Sequence, residues 1–123
     1  MQLTPHFSLD EFTHSATAER HGISNDPTPE ALRRLTGVTA PGMEQVRAIF
    51  GRAIVVTNAY RNPAVNALVG GVPTSDHPQG YAVDFHVAGF SDFAAATKIA
   101  AAKGTEILGR PFRYDQLILE GTA

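Results

Sequence analysis

Eleven glycines and eight prolines are spread along the 123 residues instead of being gathered into a linker. This punctuation constrains the fold more than any other feature. Proline has no amide donor and fixes its φ, and glycine weakens the interior of a helix or strand, so the elements between them must be short. No run of about 18 apolar residues occurs, so no transmembrane helix is expected. The opening Met1-Gln2-Leu3-Thr4-Pro5-His6 lacks a basic stretch followed by an apolar block, and does not read as a secretory signal. Hydrophobic residues make up 43% of the chain, which supplies a core for one domain spanning residues 1–123.

Local signals predict the elements. Ser8 and Glu11 form a capping box for a helix through about Thr13. Gly22 to Pro29 is turn-rich and reads as loop. Thr28 caps a helix with Pro29 at its first position. Leu32, Leu35, Met43, Val46, Ile49 and Phe50 continue it at helical spacing as far as Gly51, with a kink or break expected near Gly37 because of Pro41. Ala53–Thr57 is β-branched and reads as a buried strand. Asn62-Pro63 starts a small helix that Gly70-Gly71 ends, and Tyr81–Val87 is a second strand. Ser91 caps a helix over Asp92–Lys103, and Gln116–Leu119 is a last strand. The order α-α-β-α-β-α-β predicts an α+β domain with a small, mainly antiparallel sheet.

Composition then narrows the chemistry. The net charge of −2 excludes a generally basic nucleic-acid binder, though not a small basic groove. There is no cysteine, so any metal site must use histidine and carboxylates. His77 and Asp84 flank a turn containing Pro78 and Gly80 that lets the two side chains converge. Such a pair suits a zinc ion, but equally a hydrogen bond that fixes the turn. His86, two residues beyond Asp84, shares its strand face.

The stretch Ser75-x-His77-x-x-Gly80-x-Ala82-x-Asp84 resembles the SxHxxGxAxD signature of the zinc D-alanyl-D-alanine carboxypeptidases and peptidoglycan endopeptidases, many of them phage endolysins. Phe7–Phe12 and Ser15–Ala18 are similar to that family's N-terminal segment, and Thr57-Asn58-Ala59-Tyr60-Arg61 to its TSGYR segment. Val65-Asn66-x-x-Val69-Gly70-Gly71 resembles its VNxxVGG segment, and Asp115–Glu120 its late strand. Five pieces in order over residues 7–120 are far more specific than any one alone.

The resemblance implies a hedgehog/DD-peptidase fold and a Zn2+-dependent hydrolase cleaving peptidoglycan peptides. His77 and Asp84 would be metal ligands. Arg61 would pair with a peptide carboxylate through its planar fork, or else brace a loop. Ser75 would hydrogen-bond substrate or brace the His77 turn, and Glu120 would be the acid/base carboxylate or an ordinary strand-end residue. The family also has a Trp-x-His that supplies a third ligand. This sequence has no tryptophan and no histidine after His86. Three expectations follow from that gap: a domain without its final strand, a catalytically silent module that keeps the fold, or His86 as a substitute ligand. For the peptidase, a monomer made in the cytoplasm and acting at the cell wall or periplasm is expected, as for a phage-encoded enzyme, with no nucleic-acid or membrane partner.

Overall fold

The structure, a computed structural model, describes residues 1–70, 82–113 and 117–119. It opens with a hairpin, β1 (Gln2–Thr4) against β2 (Phe7–Ser8), that sequence reading did not anticipate. The first helix, α1 (Leu9–Thr13), has the expected capping box. Ser8 Oγ accepts the Glu11 N–H at 3.4 Å, and Glu11 Oε1 accepts the Ser8 N–H at 3.0 Å. A second short helix, α2 (Ala16–His21), was also not predicted. Its caps are nonetheless visible in the sequence. Ser15 Oγ accepts the Ala18 N–H at 3.1 Å, and Gly22 ends the helix at φ 66°, which favours glycine.

Thr28 caps α3 (Pro29–Arg34) as expected, its Oγ1 accepting the Ala31 N–H at 3.1 Å. Glu30 and Arg34 form an ion pair one turn apart. The kink or break expected near Gly37 takes the form of an irregular turn, and the chain stays helical through it. A π-helical turn over Leu35–Thr39 carries the chain into α4 (Ala40–Phe50), with the Ala40 N–H donating to Leu35 O. The wider turn places Pro41 in the first turn of α4, where a missing donor is tolerated. Gly51 closes α4 at φ 62°.

A three-stranded sheet follows in the order β3 (Ile54–Asn58), β4 (Val83–Val87), β7 (Leu117–Leu119). The β3–β4 pair is antiparallel and the β4–β7 pair parallel, so the expected antiparallel pairing holds for only one of the two ladders. A parallel neighbour requires a crossover, and α6 (Asp92–Ala102) lies within it, capped by Ser91 as predicted. Helix α5 (Pro63–Leu68) follows β3 and is capped by Asn62. A second hairpin, β5 (Glu106–Ile107) with β6 (Arg110–Pro111), turns through Leu108 and Gly109, both at positive φ. The Gln45 side chain holds this hairpin to α4, donating to Ile107 O at 3.0 Å.

One core joins these parts. Phe7, Phe12, Leu35, Met43, Val46, Tyr60, Val83, Phe85 and Phe112 are all buried within it. Alternation along β4 places Val83, Phe85 and Val87 on this side and Asp84 and His86 on the other. Strand β3 was expected to be buried, but it alternates. Ile54 packs into the core, whereas Val55, opposite His86, is 54% exposed. The fold is therefore α+β, built from helices around small, mainly antiparallel sheets.

Candidate functional site

The informative region is the end of the β3–β4 ladder and the turn that follows β3. The register runs Ile54↔Val87, Val55↔His86 and Val56↔Phe85, then shifts so that Asn58 faces Asp84. The irregularity falls at Thr57, whose Oγ1 donates to Asp84 O at 3.1 Å. A bulge here twists the strand and re-aims the residues beyond it, as bulges beside active sites commonly do.

Asp84 sits across from this bulge and is only 7% exposed. A carboxylate that shielded is destabilising unless a counter-charge or donors compensate it. Arg61 supplies charge of the right sign. Burial pulls the Arg61 guanidinium below its ordinary value, and the nearby negative charge of Asp84 pushes it back up. Arginine keeps its proton through a shift of this kind. The site thus combines a shielded carboxylate with a half-buried, permanently charged guanidinium.

The backbone around Arg61 is tied down on both sides. Tyr60 is buried in the core, and its N–H donates to Phe12 O at 2.8 Å. Asn62 caps α5 by accepting the Val65 N–H at 2.9 Å and donates through Nδ2 to Ser24 O at 2.7 Å. Buried Asn25 bonds to both Tyr60 and Asn62. Sequence reading took Asn25 for an ordinary loop residue, because its Ser-Asn-Asp-Pro setting carries the usual turn signals.

The predicted site residues are therefore placed as follows. Arg61 and Asp84 are brought within electrostatic reach of each other. Ser75, His77 and Glu120 lie outside the described residues. His86 faces away from the core, but its Nδ1 lies 3.3 Å from Asp92 Oδ1, at the start of α6. His6 pairs with Glu44 at 2.8 Å, and His14 faces Glu19 at 3.6 Å. Among the described residues, no three histidine, aspartate or glutamate side chains form a metal cluster. A cavity of about 640 Å³ opens beside Met1, Leu3, Leu32 and Gly37 and has no acid or histidine in its lining. Among the described residues, Asp84 and Arg61 instead bring opposite charges near one another at the end of the β3–β4 ladder.

A family model described as peptidase M15 matches residues 5–118. The chain belongs to the peptidase M15 family. Nothing among the curated proteins or the solved structures matches it. The M15 match covers α1 to β7 and includes the whole β3–β4 ladder. Membership supports a peptidase and does not favour a silent module. Peptidases of this family generally depend on zinc. The donor chemistry fits that metal, because with no cysteine in the chain the ligands must be imidazole and carboxylate, and Asp84 is a shielded carboxylate at the sheet end.

Proposed function

We propose that the chain is a zinc-dependent peptidase that hydrolyses peptide bonds in bacterial cell-wall peptidoglycan on a hedgehog/DD-peptidase fold. The observation carrying this reading is the shielded Asp84 carboxylate within electrostatic reach of Arg61 in an M15 chain. A folded domain with no chemistry to perform gains little from burying that carboxylate, since an apolar residue there would be at least as stable.

Asp84 and His77 would hold the metal. The chemistry zinc supplies when bound is Lewis-acid polarisation of the scissile carbonyl and acidification of water. Arg61 binds a carboxylate of the stem peptide, which its planar guanidinium can grip with two parallel hydrogen bonds. The shielded surroundings strengthen that grip, because water competes less for the fork. Glu120 moves the proton from water to the leaving amine, and Ser75 hydrogen-bonds the substrate or braces the His77 turn. The enzyme would act as a monomer at the cell wall, in the manner of a phage endolysin, with no nucleic-acid or membrane partner.

The test is digestion of purified peptidoglycan stem peptides, with products identified by mass spectrometry. The proposal expects one new amine and one new carboxyl terminus per cut, abolished by a chelator and restored by zinc. Arg61→Ala should raise KM roughly tenfold, about the value of one charge-assisted bond pair. Hydrolysis that survives the chelator, or none in zinc-loaded protein, contradicts the proposal.

A further inference from the structure

Two peptide groups set the backbone torsions of Arg61, and a single side chain holds both. Asn25 Nδ2 donates to Tyr60 O at 3.0 Å, on the peptide before Arg61. Asn25 Oδ1 accepts the Asn62 N–H at 2.8 Å, on the peptide after it. The second Nδ2 hydrogen goes to Thr13 O at 2.9 Å, at the end of α1. Asn25 is 9% exposed, so water does not take over these bonds if the amide is removed. Both φ and ψ of Arg61 are thereby referenced to α1 and to the core. Along the Arg61 side chain, Nε is buried without a hydrogen-bond partner. A long, rotamer-rich side chain takes its starting direction from the backbone, and that backbone is fixed by Asn25.

We propose that Asn25 is a positioning residue for Arg61, setting the angle at which the guanidinium meets a substrate carboxylate. This inference rests on the carboxylate-binding role of Arg61 proposed above. It assigns function to a loop residue some 35 positions earlier in the chain. Reduced preorganisation weakens binding without altering the reacting groups, so the loss should fall on KM rather than kcat.

The test has two readouts. The first is the 15N relaxation of the Arg61 Nε–H group in the full chain, which needs neither substrate nor metal. Asn25→Ala should increase fast motion at Arg61 Nε and at the Tyr60 and Asn62 amides. The second is hydrolysis of a peptidoglycan stem peptide with free carboxylates, set against the same peptide with its carboxylates amidated. Asn25→Ala should raise KM about fivefold to tenfold for the free acid, with kcat within about a factor of two and little change for the amide. In an Arg61→Ala background the same substitution should add almost nothing. Asn25→Asp keeps the acceptor for Asn62 and loses the donors, so it should fall between wild type and alanine. It serves as the readout if the alanine variant unfolds. Unchanged Arg61 relaxation in the folded variants, or a KM effect that persists without Arg61, overturns the inference. If Arg61→Ala itself leaves the preference for the free acid intact, the carboxylate-binding role fails instead, and this inference falls with it.

Discussion

The two faces of β4 differ in what their burial achieves. Val83, Phe85 and Val87 turn one way into the apolar core, where each shielded side chain contributes about 1.5–3 kcal/mol of hydrophobic stabilisation. Asp84 turns the other way and is almost as well shielded, at 7% exposure against 0% for Phe85. A buried carboxylate offers no such gain. On the function proposed above, alternate residues of one strand serve opposite ends, stability on one face and chemistry on the other. The bulge at Thr57 falls where the second face begins to matter.

The sharpest way to break this contrast is to exchange the consequences of the two faces. Asp84→Asn keeps shape and removes charge. It should lower kcat/KM by on the order of a thousandfold or more, equivalent to about 4 kcal/mol of lost transition-state stabilisation. Thermal stability should fall far less than activity, because the amide keeps the shape of the side chain and the half-buried Arg61 can still reach water when its counter-charge is lost. Steady-state kinetics and calorimetry on the same preparation read both. A variant that unfolds while the folded fraction retains activity would place Asp84 with the structural face.

Phe85→Ala is the reciprocal experiment. Denaturant unfolding should show a loss of about 3–5 kcal/mol, with kcat per folded molecule near that of wild type. A drop in specific activity at full folding would mean that the two faces are coupled and not separate.

The smallest effect sharpens the contrast by setting Asp84 beside a second shielded carboxylate. Glu44, 12% exposed, accepts the His6 N–H at 2.7 Å and meets its Nδ1 at 2.8 Å, joining the β1–β2 turn to α4. Burial works to raise its pKa, but the contacts with His6 and Thr4 together outweigh it and hold Glu44 below its ordinary value of 4.5. A carboxyl depressed on folding adds stability that is present above the unfolded value and lost as pH falls through the folded one. Stability should therefore decline below about pH 4.5, and Glu44→Gln should flatten that part of the profile. The partner His6 is exposed to solvent, so the change at neutral pH should stay under about 1 kcal/mol. Hydrolysis should be unaffected. Loss of activity in Glu44→Gln would show that shielded carboxylates here are not divided by role.

What could be read from the sequence follows the reach of the interactions. The caps at Ser8, Thr28, Asn62 and Ser91 were legible because the side chain and the amide it serves lie three residues apart. Arg61 and Asp84 stood out through motif segments carried on short stretches, and the fold brings them within electrostatic reach of each other. The parallel β4–β7 ladder was not, since register between distant strands leaves no local mark. The irregularity expected near Gly37 because of Pro41 is present, but its form as a π turn was not legible, since buried Leu35, Ala40 and Met43 hold the helix together there. Asn25 was hidden for a different reason: asparagine in a Pro-rich turn is ordinary, and only its burial against Tyr60 and Asn62 shows its use.

Metal content tests the central claim most directly. Chain loaded with micromolar zinc, desalted and assayed by elemental mass spectrometry should carry about one zinc per chain, the occupancy of a single catalytic site. Glu44→Gln should match it, while His77→Ala and Asp84→Asn should both come through the column essentially empty. Zinc retained in full by Asp84→Asn, or absent from the unmodified chain, would contradict the account.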